Sequence, residues 1–361
     1  MRTEEARTLS GRLIMGGFSG TEPDESTTEI IRRGEMGGVT LFRRNIEDIE
    51  QVIELNSRLK ILSRNLPFFL IGIDQEGGRV VRLERPCTVL PPARELGSLK
   101  RPDITGRAGF LTGSELNSLG FCLNFAPVLD ISADDAKTVI GDRSYADNAL
   151  DVFEHAMTFS RGLEQGGVIS CAKHFPGHGC TAVDSHTGFP KVDRTENELL
   201  DKDIVPFSMA IQSGIRAIMT AHVIYEDIDT ELPATLSPAV IRRLLRQRLK
   251  FDGVVFTDDL EMQAVSSRWD YGEAAVLAFE AGADVLLICS SAEAREKALE
   301  RLSDRASSSS RFAAILENSA RRLEKAYASF LKTRVRFETD WIGSESHKKA
   351  QNAFYSELCN K

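Results

Sequence analysis

The chain lacks what would place it in a membrane, on a nucleic acid or in an oxidising compartment. Its longest apolar run, Leu66 to Ile73 around Phe68-Phe69-Leu70, falls well short of the roughly 20 apolar residues of a spanning helix, so no membrane partner is expected. Basic charge is in deficit. A formal net charge of −8 offers phosphates no cationic footprint and argues against nucleic acid as a partner. Paired cysteines are missing as well: there is no CxxC, and Cys87, Cys180 and Cys359 stand at no paired spacing. Cys122, Cys171 and Cys289 fall inside strand-like apolar runs, where a thiol behaves as a small hydrophobe. The first residues, Met1 to Arg7, are polar and carry no apolar core of a secretory signal. A reduced, cytoplasmic protein is the expectation.

What is present suits a globular protein with an ample core: 42% hydrophobic and 27% charged residues over 361 positions, enough for one large domain or two ordinary ones. Eight short apolar runs recur, at Arg12–Phe18, Gly38–Phe42, Phe68–Ile73, Cys122–Leu129, Val168–Ala172, Ala217–Thr220, Val254–Thr257 and Val285–Ile288. They lack the alternation of a half-exposed sheet, which marks strands covered on both faces. Helical patterns separate them. In Ile46–Leu62 apolar positions return every three to four residues. Ser237-Pro238 opens Ala239–Leu249 with a capping residue and a first-turn proline, and Gly272–Ala281 links the last two runs.

Eight strands alternating with helices predict an α/β fold, a (β/α)8 TIM barrel, with a doubly wound sheet as the fallback. No repeat, linker or composition break divides residues 1–335, which read as one domain. Ser307 to Ser310 reads as a polar loop between helices. Residues 336–361 form a polar tail with Trp341, Ile342 and Phe354-Tyr355 as anchors, either a strap across the barrel or disordered.

A barrel enzyme places its chemistry at the C-terminal ends of its strands. Polar groups arrive there in this chain. The third run leads into Asp74-Gln75-Glu76-Gly77-Gly78-Arg79, the fourth ends near Asp130, the fifth at Lys173-His174, the sixth at His222 and the seventh at Asp258-Asp259. The stretch from Lys173 to His186 holds three of the six histidines, a lysine and a carboxylate, interleaved with glycine and proline. Such residues give little surface to pack, so this is an active-site loop rather than core.

Asp184 and His186 stand two apart, where side chains of an extended segment share a face. Asp184 can then orient the imidazole while its other nitrogen exchanges a proton. Asp258 follows directly from its strand and is the expected nucleophile. Adjacent strand residues face opposite ways, so Asp259 is expected to cap the next helix instead. Asp74, with Arg79, Arg82 and Arg143, supplies the acid and guanidinium groups that a hydroxyl-rich or acidic ligand needs, and Lys173 and His174 strengthen the group. No metal site is expected: His174-x3-His178 would need a helix, and Pro176-Gly177 argues against one.

Taken together, Ile73–Val80, Asn124–Asp130, Lys173–Gly179, Asp184-Ser185-His186 and Phe256–Met262 resemble the motifs of glycoside hydrolase family 3, in particular its single-domain β-N-acetylglucosaminidases. The resemblance spans about Gly16 to Leu287. It implies a barrel hydrolase that removes terminal β-linked N-acetylglucosamine with retention, with Asp258 as nucleophile and His186 as acid/base paired with Asp184. It also implies sugar-binding roles for Asp74, Arg82, Arg143, Lys173 and His174. No cofactor is expected, and the chain is expected to act as a monomer. In cytoplasmic members the substrate is a cell-wall fragment, N-acetylglucosamine joined to anhydro-N-acetylmuramic acid. The rival expectations are a phosphorylase or β-glucosidase of the same family, a metal-dependent barrel hydrolase, and a non-catalytic binder of wall fragments. Relatives usually carry aspartate where this chain has Cys180.

Overall fold

The computed structural model describes residues 1–132, 139–179, 190–333 and 337–359. In chain order the strands are β1 (Ile14–Gly16), β2 (Gly38–Leu41), β3 (Leu70–Ile73), β4 (Leu123–Asn124), β5 (Ile169–Ser170), β6 (Ala172–Phe175), β7 (Lys191–Val192), β8 (Ala217–Thr220), β9 (Ile224–Tyr225), β10 (Val254–Asp259) and β11 (Val285–Leu287). Nine form one parallel sheet, ordered β5-β4-β3-β2-β1-β11-β10-β8-β6, while β7 and β9 make a separate pair.

The two ends of that order settle the architecture. Only Cys171 separates β5 from β6, and its amide donates to the carbonyls of Asn124 and Ala126, both at 3.0 Å. One stave, broken at Cys171, therefore pairs with β4 through its first half and with β8 through its second. The sheet closes on itself as a (β/α)8 barrel, and the doubly wound alternative falls away. The staves are buried along their length except at the last two residues of β10, which explains the missing alternation. Inside, Phe125 and Phe256 meet edge to face with ring centroids 5.8 Å apart. The fourth run keeps strand geometry only at Leu123–Asn124, but Val128 pairs again with Lys173 nearer the rim.

Helices cover the outside. The expected helix over 46–62 starts at Ile49, because Asp48 caps it by accepting from the Gln51 amide at 2.8 Å. Ser237 accepts from the Val240 amide as expected, and the following helix, Ala239–Arg248, is wound wide, with Leu249 N–H reaching back to Leu244 O. Helices Pro102–Ser118 and Ala149–Gln165 pack backbone to backbone: a Cβ on Gly109 would lie 2.2 Å from Phe159 O. The serine run at 307–310 is not a loop. Helices Ala292–Ser308 and Ser310–Thr333 meet with Ser309 alone between them, and Ser309 Oγ accepts from the Phe312 amide. The serines thus extend and cap helices instead of interrupting them.

Between residues 337 and 359 the C-terminal segment is folded against the body of the protein. Its helix Glu345–Cys359 buries Phe354 and His347, and Ile342 is buried just ahead of it. Among the described residues no helix is long and apolar enough to cross a membrane.

Candidate active site

The C-terminal ends of the staves open into a cavity of about 420 Å³. Asp74, Arg82, Arg143, Lys173, His174 and Asp258, named from sequence, all line it. Phe42, Phe125, Met219 and Leu287 provide apolar wall. A few converging polar groups in a partly apolar cleft is the usual make-up of a small-molecule site.

Asp74 follows directly from β3, and the loop beyond it is folded on Gln75. The Gln75 amide donates to Asn124 Oδ1 at 2.9 Å, while its side chain accepts from the amides of Arg82 and Leu83 at 2.8 and 3.1 Å. The next two glycines let this loop double back tightly. Gly77 has φ 108°, and a Cβ there would sit 2.7 Å from Pro91 O.

Lys173 projects from β6 between two carboxylates, 2.7 Å from Asp74 Oδ1 and 2.7 Å from Glu76 Oε1. Glu76 in turn receives both arms of Arg143, at 2.9 and 2.8 Å. Arg82 stands 3.8 Å from Asp74. Burial disfavours the charges of Glu76, Arg143 and Lys173, yet for each of the three the partners outweigh desolvation. Arg143 and Lys173 hold Glu76 far below the ordinary carboxylate range, and Asp74 and Glu76 keep the Lys173 ammonium raised. Glu76 had no assigned role in the sequence reading, although it lies inside the Asp74–Arg79 motif. Its neighbour Arg79 was expected at the site and is turned away: it donates to the carbonyls of Val139 and Ile140 and pairs with Asp142 at 3.0 Å.

His174 is oriented from behind. Its Nδ1 lies 2.7 Å from Asp130 Oδ2, and Asp130 also accepts from the backbone amides of His174 and His178. Burial raises Asp130, but both histidines and the amide hydrogen bond more than reverse that, so it stays a carboxylate. The other ring nitrogen of His174, Nε2, lies 3.5 Å from Arg143. Asp130 is the second residue without an assigned role in the sequence reading. Its place at the end of the fourth run was the available signal.

At the end of β10, register with β11 shifts from Phe256↔Val285 to Asp259↔Leu287, three steps against two. That extra residue breaks the alternation of the strand. Asp258 and Asp259 consequently both line the cavity, which corrects the expectation that only one could. Nor does Asp259 cap a helix. Its Oδ1 accepts from the amides of Glu261 at 3.1 Å and Cys289 at 3.4 Å, and the next helix starts only at Gln263. The two acids are driven apart electrostatically. Burial raises Asp258, but His222, His174, the Asp259 amide and Lys173 overcome it and leave it ionised. Asp259, pushed by burial and then by Glu261 and Asp258, rises to about 7. His222 Nε2 donates to Asp259 O at 2.9 Å, bracing the pair from β8's exit.

Asp184, His186 and Cys180 lie outside the described residues. The flanking Gly179 packs against Ile131 O, and Pro190 O accepts from the Ile224 amide. Among the described residues no group of three or more His, Cys, Asp or Glu side chains is arranged to hold a metal ion.

The sequence model for the glycosyl hydrolase family 3 N terminal domain matches residues 8–326. The chain belongs to glycosyl hydrolase family 3. It is a glycoside hydrolase, and its relatives agree. A beta-hexosaminidase of Methylococcus capsulatus is 40% identical over 275 residues, 75% of this chain and 81% of that protein. Among solved structures, a family 3 beta-N-acetylglucosaminidase from Paenibacillus superposes with a TM-score of 0.90 at 37% identity, covering 98% of this chain and 68% of its own. NagZ from Neisseria gonorrhoeae, in complex with N-trifluoroacetyl-D-glucosamine, has a TM-score of 0.79 at 30% identity, covering 96% of this chain and 98% of its own.

Proposed function

We propose that this family 3 hydrolase is a retaining exo-β-N-acetylglucosaminidase. The observation that carries the reading is the pairing of one ionised carboxylate, Asp258, with the Asp74, Arg82, Arg143, Lys173 and His174 cluster around a single cavity. The cluster offers a carboxylate, guanidinium and ammonium donors and an imidazole, a set matched to sugar hydroxyls and an amide. Relatives named beta-hexosaminidase and a neighbour holding an N-acylated glucosamine support the same substrate class.

In this mechanism Asp258 attacks the anomeric carbon as the glycosidic C–O bond breaks, forming a covalent glycosyl-enzyme. His186, oriented by Asp184, gives its proton to the departing oxygen. The neutral imidazole then takes a proton from water, whose oxygen displaces Asp258 and restores the starting anomeric configuration. The natural substrate in this reading is a muropeptide fragment, N-acetylglucosamine on anhydro-N-acetylmuramic acid, processed in the cytoplasm by a monomer during wall recycling.

The test is trapping with a 2-fluoro or 5-fluoro N-acetylglucosamine-type inactivator followed by peptide mapping. Label on Asp258 is expected. Label on another residue overturns the assignment.

A further inference from the structure

The C-terminal segment grips one particular loop. Glu115, on helix Pro102–Ser118, is 3% exposed, and its Oε1 accepts from the Thr88 amide at 2.8 Å, the Thr88 hydroxyl at 2.5 Å and His347 Nε2 at 2.8 Å. His347 Nδ1 accepts from the Gly343 amide at 3.0 Å, so the proton of the ring sits on Nε2, facing Glu115. Trp341 packs on the imidazole, ring centroids 4.7 Å apart. One turn further along the helix, Gln351 Nε2 donates to Pro86 O at 3.0 Å and to Thr88 Oγ1 at 3.1 Å. After another turn, Tyr355 OH accepts from the Val89 amide at 3.0 Å and donates to its carbonyl at 3.3 Å. The directions are consistent: Thr88 gives its single hydroxyl proton to Glu115 and accepts from Gln351.

Pro86–Val89 belongs to no strand or helix. The amides of Thr88 and Val89 are spent on side chains from elsewhere in the chain, so those side chains set the path of this stretch. What they hold is continuous with the sugar-binding cluster. Leu90 O accepts from the Gly78 amide at 3.1 Å, and Leu90–Pro91 closes over Gly77. Gly77 follows Glu76, the partner of Lys173 and Arg143. Arg82 is carried by the same loop.

We infer that the C-terminal strap is a positioning element for the loop from Asp74 to Leu90, acting through Gln351, Tyr355 and the His347–Glu115 pair on Pro86–Val89. The inference rests on the sugar-binding reading of that cluster. None of these strap residues lines the cavity. Loosening them shifts Arg82 and Glu76 relative to Lys173 and weakens substrate binding, while the reacting groups on β10 stay in place.

The experiment is the full-length double variant Gln351→Ala/Tyr355→Phe beside Tyr355→Phe alone. With a chromogenic β-N-acetylglucosaminide, KM should rise about three- to tenfold in the double variant, as expected for lost hydrogen bonds, with kcat within about twofold. Amide hydrogen exchange across Asp74–Leu90 should quicken well below the unfolding temperature. A lowered Tm with unchanged KM and unchanged exchange in that loop would reduce the strap to a stabilising brace and overturn the proposal. If the wild-type protein turns over no such glycoside, the functional reading fails. The exchange comparison then decides the strap alone, and unaltered exchange across the loop rejects it.

Discussion

Asp258 and Asp259 are adjacent on β10 and nevertheless border the same cavity, because an extra residue opposite Val285–Leu287 breaks the strand's alternation. One is held as a carboxylate by the histidines and lysine around it. The other, in poorer company, is raised to about 7. The two neighbouring acids thus titrate in different pH ranges, and Asp258 is the one that stays charged at neutral pH, as nucleophilic attack requires.

If Asp258 is the nucleophile, as proposed, replacing it with Ala should lower kcat by at least about ten-thousandfold. Steady-state kinetics with a chromogenic β-N-acetylglucosaminide measure it. Retention of even a tenth of the wild-type rate contradicts the role.

Asp259 makes a prediction about stability. Its folded-state pKa lies above the ordinary 3.8, so the folded protein binds the proton more tightly, and stability declines as pH rises from about 4 through about 7. Asp259→Asn keeps an acceptor for the Glu261 and Cys289 amides and cannot ionise. It should be more stable than wild type at pH 8, by about 1–3 kcal/mol, with the gain vanishing near pH 4. Urea denaturation at the two pH values checks this.

Glu76 behaves in the opposite sense. Its pKa is depressed, so its contribution is fully present above the ordinary 4.5 and fades as pH falls toward the folded-state value. Glu76→Gln leaves Lys173 and Arg143 short of a counter-charge and should cost about 3–5 kcal/mol at pH 7. The difference from wild type should narrow below pH 4.5 in chemical denaturation.

His186→Ala should slow glycosides with poor leaving groups by about a hundredfold or more and largely spare those with good ones. Equal, unchanged rates on both would remove His186 from the acid/base role. Running the wild type with and without phosphate, and looking for sugar-1-phosphate, separates hydrolysis from phosphorolysis.

The eight staves were legible because strands covered on both faces must be apolar throughout, and the site was legible because barrels put polar residues where such strands end. Asp74, Arg82, Arg143, Lys173, His174 and Asp258 could be named from that rule and from the motifs. Sequence by itself therefore determined which residue types stand at the rim. Closure of the sheet through Cys171, the bulge at Asp258-Asp259, the outward turn of Arg79 and the hold of Glu76 and Asp130 on Lys173 and His174 were decided only in three dimensions. Each depends on hydrogen bonds or charges between residues 28 to 99 positions apart, whose register no local pattern encodes. The strap is the extreme case: its grip on Val89 spans 266 positions. Its apolar anchors, Ile342 and Phe354, were visible in the sequence, but which loop Gln351 and Tyr355 would hold was not, because single hydrogen bonds to a distant backbone leave no local pattern.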